Sequence, residues 1–488
     1  MNYSEYDRIS TIDNKLATVR YIGTIPQWGD TLALGLEWDE ATRGKNNGEV
    51  NGITYFTPTV PNSVTFIKST NKKLVHKCKS FVQIIKEKYL DAEYIEADIQ
   101  FGSKTVEEFG WEKLNKFQSN LSNLTSLTLD FHLINRADYD KSIFTNLGNL
   151  THLELSFNLF NDITEVWKIV DLLPGLRELN LNGNRFYKFS PTNTHNLKVL
   201  KLSSTLVTVA NLNEHILPKF PKLTELYISG NNYTNEDINN LNLPAQLEVL
   251  DVSYNQLTIF PKVNISSLNL SHNNISDYSN VSQLNITSLD LRNNQIMSYS
   301  FIDWLSEAAP NLQILRINHN PLFQDIDIMT TQLIARFYCQ DYHAIPHTKL
   351  YKLNGSLLTN DEIENSELYF ISKVQMGEYQ IDKRAKKWLY LLDKYKPKPT
   401  TINIQPDWIS LTINIPNKDP VQRLFLLNNS ILRIKGIISK LYLDNMSILQ
   451  FKLYYYIDTS IKQELKDYLS ILDTYSLSPS QNIYIDYS

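Results

Sequence analysis

The sequence predicts a multidomain chain: a small β-rich barrel, then an α/β solenoid of short repeats, then an α+β domain. Three observations carry this reading. A leucine pattern recurs through the middle of the chain, β-branched stretches punctuated by turn residues fill residues 16–68, and a strand–helix–strand pattern follows a proline-lysine segment near residue 400. At 488 residues there is room for about three domains. Hydrophobic residues make up 42% and charged residues 20%, so sizeable cores can form and composition forces no long stretch into disorder. The net charge of −5 argues against nucleic acid as the main partner, because phosphate binding needs a basic surface. Cys78 and Cys339 make no disulfide framework, which suits a reducing compartment. No run approaches about 18 apolar residues, so no membrane span is expected. The opening Met1-Asn2-Tyr3-Ser4-Glu5 lacks the basic and then apolar character of a secretory signal. Asn-x-Ser/Thr triplets such as those at Asn149 and Asn285 then reflect asparagine richness, and the expected compartment is the cytoplasm.

The repeats come first because an internal period decides the architecture. Leu-x-x-Leu-x-Leu, with conservative swaps, begins at Leu124, Leu150, Leu176, Leu197, Leu223, Leu247, Ile265, Ile286 and Leu312. Successive starts lie 26, 26, 21, 26, 24, 18, 21 and 26 residues apart. Three residues after the last apolar position stand Asn158, Asn184, Asn231, Asn255, Asn273, Asn294 and Asn320, with His132 and Thr205 as exceptions. This is a leucine-rich repeat: leucines fill a shared core, strands pair in a curved parallel sheet, and each asparagine turns inward to bond backbone groups of adjacent turns. Function on such a scaffold belongs to the strand residues between the leucines. Glu154, Glu178, Lys201, Tyr227, Asp251, Asp290 and Arg316 are the candidate concave-face contacts, a mixed polar ladder suited to a folded protein surface.

Within residues 16–68, apolar stretches at Ala17–Ile22, Leu32–Trp38, Ile53–Phe56 and Val64–Ile67 alternate with Gly, Pro, Asn and Asp turns. The segment Arg43-Gly44-Lys45-Asn46-Asn47-Gly48 lies between Trp38 and Tyr55-Phe56. It is not a phosphate loop, since Asp39 and Asn46 stand where that motif needs glycine and a hydroxyl. With Val19-Arg20-Tyr21-Ile22-Gly23, Gly35-Leu36-Glu37-Trp38-Asp39 and Gly52, the module resembles a CAP-Gly domain. The resemblance implies a groove for an acidic protein tail ending in an aromatic, as on α-tubulin. In it Lys45 answers a carboxylate, Asn46 bonds the tail, Gly44, Asn47 and Gly48 shape the turn, and Trp38 and Phe56 form an apolar wall. The alternative for Trp38 and Phe56 is that they fill the small β core. Family members carry Asp where Asn47 stands and a groove tryptophan where Ala33 stands. Trp28 is expected to restore part of that aromatic surface, and tail binding is expected to be weaker.

Phe81–Leu90 has helical spacing, and Phe101–Trp111 is expected to start the repeat cap. Residues 323–394 read as a helical cap over the open solenoid end. Cys339, His343 and His347 are spaced four apart, but no fourth ligand is evident and Pro346 interrupts the helix, so no metal is expected. Beyond the stiff segment Tyr395–Thr401, a strand at Ile409–Ile415, a helix at Ile431–Tyr442 and strands at Leu449–Ile457 and Ile483–Tyr487 resemble a ubiquitin-like β-grasp. The chain ends without Gly-Gly, so this would be a docking module and not a conjugated tag.

The expected boundaries are 1–70 for the CAP-Gly domain, 71–119 for a linker and repeat cap, 120–322 for the leucine-rich repeats, 323–394 for the helical cap, 395–401 for a linker and 402–488 for the ubiquitin-like domain. That layout resembles the tubulin-folding cofactor E family. The resemblance implies a chaperone without enzymatic activity or cofactor. Its partners would be α-tubulin, the αβ-tubulin heterodimer, the folding cofactors D, C and B and an Arf-like small GTPase, with no nucleic acid and no membrane. The protein would be cytoplasmic and cytoskeleton-associated. Two other readings stand beside it: a CAP-Gly microtubule-binding adaptor, and an adaptor that reaches the proteasome through the ubiquitin-like end.

Overall fold

The computed structural model describes residues 3–75, 78–91, 99–101, 104–106, 118–190, 193–278, 283–323, 326–337, 350–396, 407–458 and 460–487. The chain forms two compact units, Met1–Ser279 and Asn280–Ser488.

The first unit opens with a five-stranded antiparallel sheet. Its strands are β1 (Arg8–Thr11), β2 (Leu16–Thr24), β3 (Leu32–Trp38), β4 (Val64–Lys68) and β5 (Leu74–Val75), in the order β4-β3-β2-β1-β5. Alternation along β3 sends Leu34, Leu36 and Trp38 into a core with Ile9, Ala17, Val19 and Leu74. The β2–β3 register slips between Val19 and Tyr21, which leaves Arg20 as an extra residue. Such a bulge re-aims the side chains around it.

Seven repeat strands in this unit pair in parallel, from Ser126–Thr128 through His152–Glu154, Glu178–Asn180, Val199–Lys201, Glu225–Tyr227 and Val249–Asp251 to Ser267–Asn269. Their central leucines, Leu127, Leu153, Leu179, Leu200, Leu226, Leu250 and Leu268, stand directly opposite one another and are buried. Each contributes about 1.5–3 kcal/mol by leaving water. The inward asparagines are buried and bonded. Asn255 accepts from the Asn231 and Tyr233 backbone N–H groups at 3.0 Å each, and its amide donates to the carbonyls of Val252, Ser253 and Ile228. Thr205 substitutes with one donated bond, 2.7 Å to the Leu202 carbonyl. The residue before each of these positions is left-handed, from φ 50° at Phe157 to 69° at Gly183, including Phe131, Ser204, Gly230, Tyr254 and His272. That conformation turns the asparagine inward and leaves the preceding side chain outside: Phe131, Phe157 and Tyr254 are all exposed.

The expected helix at Phe81–Leu90 is α-helical over Phe81–Ile85, capped by Ser80, and continues as a wider π turn over Lys86–Leu90. The expected cap residues Phe109–Trp111 lie outside the described residues.

In the second unit, strands Ser288–Asp290 and Ile314–Arg316 continue the repeat pattern, and Lys352–Leu353 pairs with the second of these. Helices Ile326–Phe337, Asn360–Gln375 and Lys386–Lys394 form the cap around Ala335, Phe370, Ile371, Trp388 and Leu391. Two buried charges are fully answered there. Arg336 holds Asp303 through two contacts of 2.6 Å, and Glu367 accepts from Lys394 at 2.6 Å and the Tyr395 hydroxyl at 2.8 Å. Tyr395, expected to open the linker, therefore belongs to the cap, and burial together with Glu367 pushes its phenol well above the ordinary range. Residues 397–406, which include most of that linker, lie outside the described residues, as do Cys339, His343 and His347.

The last domain is a β-grasp. Its sheet runs Val421–Leu426, Trp408–Asn414, Gln481–Tyr487, Phe451–Ile457, Ile461–Glu464, with the second and third strands parallel. Helix Ile431–Tyr442, capped by Ser430, lays Ile431, Ile434 and Ile438 on that sheet. Its buried Lys435 donates to the Phe451 carbonyl at 2.6 Å and the Tyr468 hydroxyl at 3.0 Å.

Candidate functional site

Tyr21, Gly35 and Phe66 stand directly across from one another on β2, β3 and β4. A glycine between two aromatics leaves a trough in the sheet face. A Cβ built on Gly35 would come within 2.6 Å of the Phe56 ring and 3.0 Å of Phe66, so only glycine fits this floor. Tyr55 and Phe56 complete the walls. Ring centroids lie 4.8 Å apart for Tyr21–Tyr55, 5.4 Å for Tyr55–Phe66 and 6.0 Å for Phe56–Phe66, and all four rings are half-buried. Edge-on aromatic clusters with one open side suit an aromatic or apolar end group.

The Gly44–Gly48 turn is clamped beside this trough. The Lys45 and Asn46 N–H groups donate to the Val64 carbonyl at 2.7 and 3.2 Å, and the Val64 N–H returns a bond to Asn46. Asn46 accepts from the Gly48 N–H through its side chain, and Asn47 accepts from the Asn62 N–H. Gly44 and Gly48 are required by space: an added Cβ would lie 1.8 Å from the Asn62 carbonyl oxygen and 1.9 Å from that of Phe56. Gly48 also sits at φ +84°. The Lys45 side chain is exposed and makes no ion pair among the described residues. A clamped turn thus carries an exposed cation, and its Gly48 end lies against the Phe56 wall of the trough.

The expected site residues divide accordingly. Gly48 lies against Phe56, and Gly44 and Lys45 stand on the same clamped turn. Asn46 and Asn47 hold the turn through their side-chain oxygens. Trp38 is a correction: it lies in the core beneath the sheet, 7% exposed, with the Arg43 guanidinium over its ring at 4.9 Å. Strand alternation places it opposite to Gly35 and Glu37, so it cannot also line the trough. Trp28 is half-buried in the turn Pro26–Trp28, and no described ring stacks on it. Sequence reasoning missed Tyr21, Gly35 and Phe66, although an isolated glycine inside a strand is the signal for such a close approach.

The module rests against the repeats. Arg8, wholly buried, holds Asp39 at 2.5 and 2.6 Å and reaches the Gly183 carbonyl at 3.5 Å. Arg185 approaches Asp39 at 3.9 Å, the Asn161 amide donates to the Tyr6 carbonyl at 2.9 Å, and the Tyr6 and Tyr187 rings lie 4.5 Å apart. Burial alone would raise the Asp39 carboxyl, but Arg8 and then Arg185 outweigh it and hold it below the ordinary range.

On the concave strand face the candidate residues bond to one another. Lys201 pairs with Glu178 at 2.5 Å and lies 5.7 Å over Tyr227, whose hydroxyl donates to Glu225. Glu154 accepts from Asn180 and Asp251 from Asn269. In the second unit, Asp290 is held by Arg292 at 2.7 Å and approached by Arg316 at 3.9 Å. These polar side chains are preorganised by bonds to one another, and no three His, Cys, Asp or Glu among the described residues could hold a metal ion.

A family model for the CAP-Gly domain matches residues 6–72. The chain is 28% identical over 418 residues to Protein PAC2 of Saccharomyces cerevisiae, covering 81% of this chain and 78% of that protein. It is 29% identical over 269 residues to Tubulin-specific chaperone E of Mus musculus, covering 53% and 49%. The chain spans about half the length of the vertebrate relatives it matches. A solution structure of the C-terminal ubiquitin-like domain of mouse tubulin-specific chaperone E covers 18% of this chain and 95% of that one, at 17% identity and a TM-score of 0.16.

Proposed function

The chain belongs to the tubulin-specific chaperone E family, and from that premise we propose that it is a cytoplasmic, non-enzymatic chaperone that holds α-tubulin by tail and body together. The acidic tail enters the trough with its terminal aromatic among Tyr21, Tyr55, Phe56 and Phe66, while Lys45 meets a carboxylate. The folded body lies on the concave face of the repeats. The complex then works with folding cofactors D, C and B and an Arf-like GTPase to make and take apart the αβ heterodimer. GTP hydrolysis in that assembly belongs to tubulin and the GTPase.

The observation that carries this reading is the unanswered Lys45 on a clamped turn beside a glycine-floored aromatic trough. A charged end group and an apolar end group on one peptide are what such a pairing recognises. Two linked contacts also raise the effective concentration of the client at the second site. The test is to titrate the full chain with αβ-tubulin and with tubulin lacking the terminal aromatic of α-tubulin. The reading expects tighter binding of the intact form and a change in free dimer concentration. Equal binding of both forms removes the groove from the mechanism. Binding to polymer alone in co-sedimentation favours the adaptor reading instead.

A further inference from the structure

Arg20 connects the trough to the repeats. It is the extra residue of the β2 bulge, and its guanidinium lies over two rings at once: Tyr6 at 5.5 Å and Phe56 at 5.6 Å. Tyr6 is the ring that packs against Tyr187 of the repeats at 4.5 Å, and Phe56 is a wall of the trough, 6.0 Å from Phe66. Tyr187, Tyr6, Arg20, Phe56 and Phe66 therefore form one unbroken run of contacts from the solenoid into the site. Arg20 is itself fixed. It pairs with Glu37, whose other carboxylate oxygen accepts the Thr59 and Val60 N–H groups at 2.6 and 3.1 Å. Its remaining donors reach the Thr59 hydroxyl at 3.2 Å and the Thr57 carbonyl at 3.4 Å. Those contacts tie the guanidinium to the segment that directly follows Phe56.

We propose that the repeat residue Tyr187 is a positioning residue for tail recognition: it seats Tyr6, which with Glu37 fixes Arg20, which sets the Phe56 wall of the trough. This rests on the tail-groove reading above. The physical basis is that each ring contact restricts the guanidinium beyond what its pair with Glu37 does, so taking away the outer contact loosens the support of the inner ring. Among the described residues, Tyr187 is the repeat ring that packs on Tyr6, while the Asn161 amide reaches only the Tyr6 backbone carbonyl.

The experiment uses the full chain and two readouts. The first is the affinity of a fluorescent acidic peptide ending in tyrosine, measured for wild type, Tyr187→Leu, Phe56→Leu and the double variant. Tyr187→Leu is expected to weaken binding by roughly three- to tenfold, the range of one lost ring–cation arrangement. In the double variant the effect of Tyr187→Leu is expected to vanish, because its target ring is gone. The second readout needs no ligand: 4-fluorophenylalanine at position 56 reports ring environment by ¹⁹F NMR, and its resonance is expected to shift in Tyr187→Leu. Phe131→Leu, an exposed repeat aromatic outside the run, is the control and leaves both readouts unchanged. If the wild-type chain does not bind the peptide, the tail reading falls while the ¹⁹F shift still judges the coupling. An unmoved ¹⁹F resonance in Tyr187→Leu overturns the proposal, as does an effect on affinity equal with and without Phe56.

Discussion

Replacing Asp39 with asparagine isolates the charge that joins the first module to the repeats. Asp39 answers Arg8, whose side chain is fully buried, and Arg185 nearby; its own side chain keeps 19% exposure. Breaking a buried ion pair from one side costs about 3–5 kcal/mol, because the remaining charge stays out of water. Asparagine preserves the shape and one acceptor for Arg8, so the lower end applies, about 3 kcal/mol. For a unit of this size that corresponds to a fall in Tm of roughly 6–12 °C. The assay is denaturant unfolding of the full chain followed through the module's tryptophans at pH 7, repeated down to pH 3. Asp39 has a depressed carboxyl in the folded state, below its ordinary value of 3.8, so its stabilisation is fully present above that value. It is lost as pH falls from that value through the lower folded one, so the gap between wild type and variant is expected to narrow progressively below about pH 4. A loss under about 1 kcal/mol at pH 7, the size of an exposed pair, would refute the buried-pair argument. So would a gap that persists undiminished to pH 3.

Three other outcomes follow from the same geometry. Gly35→Val drives a side chain into Phe56 and Phe66 and is expected to abolish tail-peptide binding in titration, while far-ultraviolet circular dichroism keeps its native shape. Lys45→Ala is expected to weaken tail binding by roughly tenfold at low salt, by less at high salt, and to leave the melting temperature unchanged. In the asparagine ladder, Asn184 donates to Leu155 and Leu181 but its buried side-chain oxygen has no partner among the described residues, whereas Asn255 makes bonds through both ends. Asn255→Ala is therefore expected to destabilise by about 1–3 kcal/mol more than Asn184→Ala in equilibrium unfolding, the cost of stranding backbone donors.

The repeats were the most legible part of the sequence because their period is local: each leucine and asparagine meets its counterpart about one repeat away. The left-handed residue before each asparagine was not legible, since Phe131, Tyr254 and His272 are poor advertisements for that conformation. The turn Gly44–Gly48 was readable from its glycines, and each has a steric reason. Trp38 is ambiguous in the sequence because an aromatic beside a motif looks the same whether it points up or down; only its phase on β3, shared with Leu34 and Leu36, decides. The prolines just after Tyr395 make it look like linker, although Glu367 claims its hydroxyl from 28 residues away. Nothing in the sequence joins Arg8 to Gly183, because their contact depends on how two separately folded elements come to rest.

That last contact bears on how the chain can be taken apart. The family model ends at residue 72, and a cut there looks like a natural fragment. Such a fragment would bring into water a guanidinium that the intact chain keeps dry, and would leave Tyr187 behind. The module matches a family model by itself, yet its buried contacts to the repeats make it part of a larger folded unit. Chimeras that graft these residues onto another scaffold would carry the motif without its seating, and affinities measured on the excised piece would describe a different molecule.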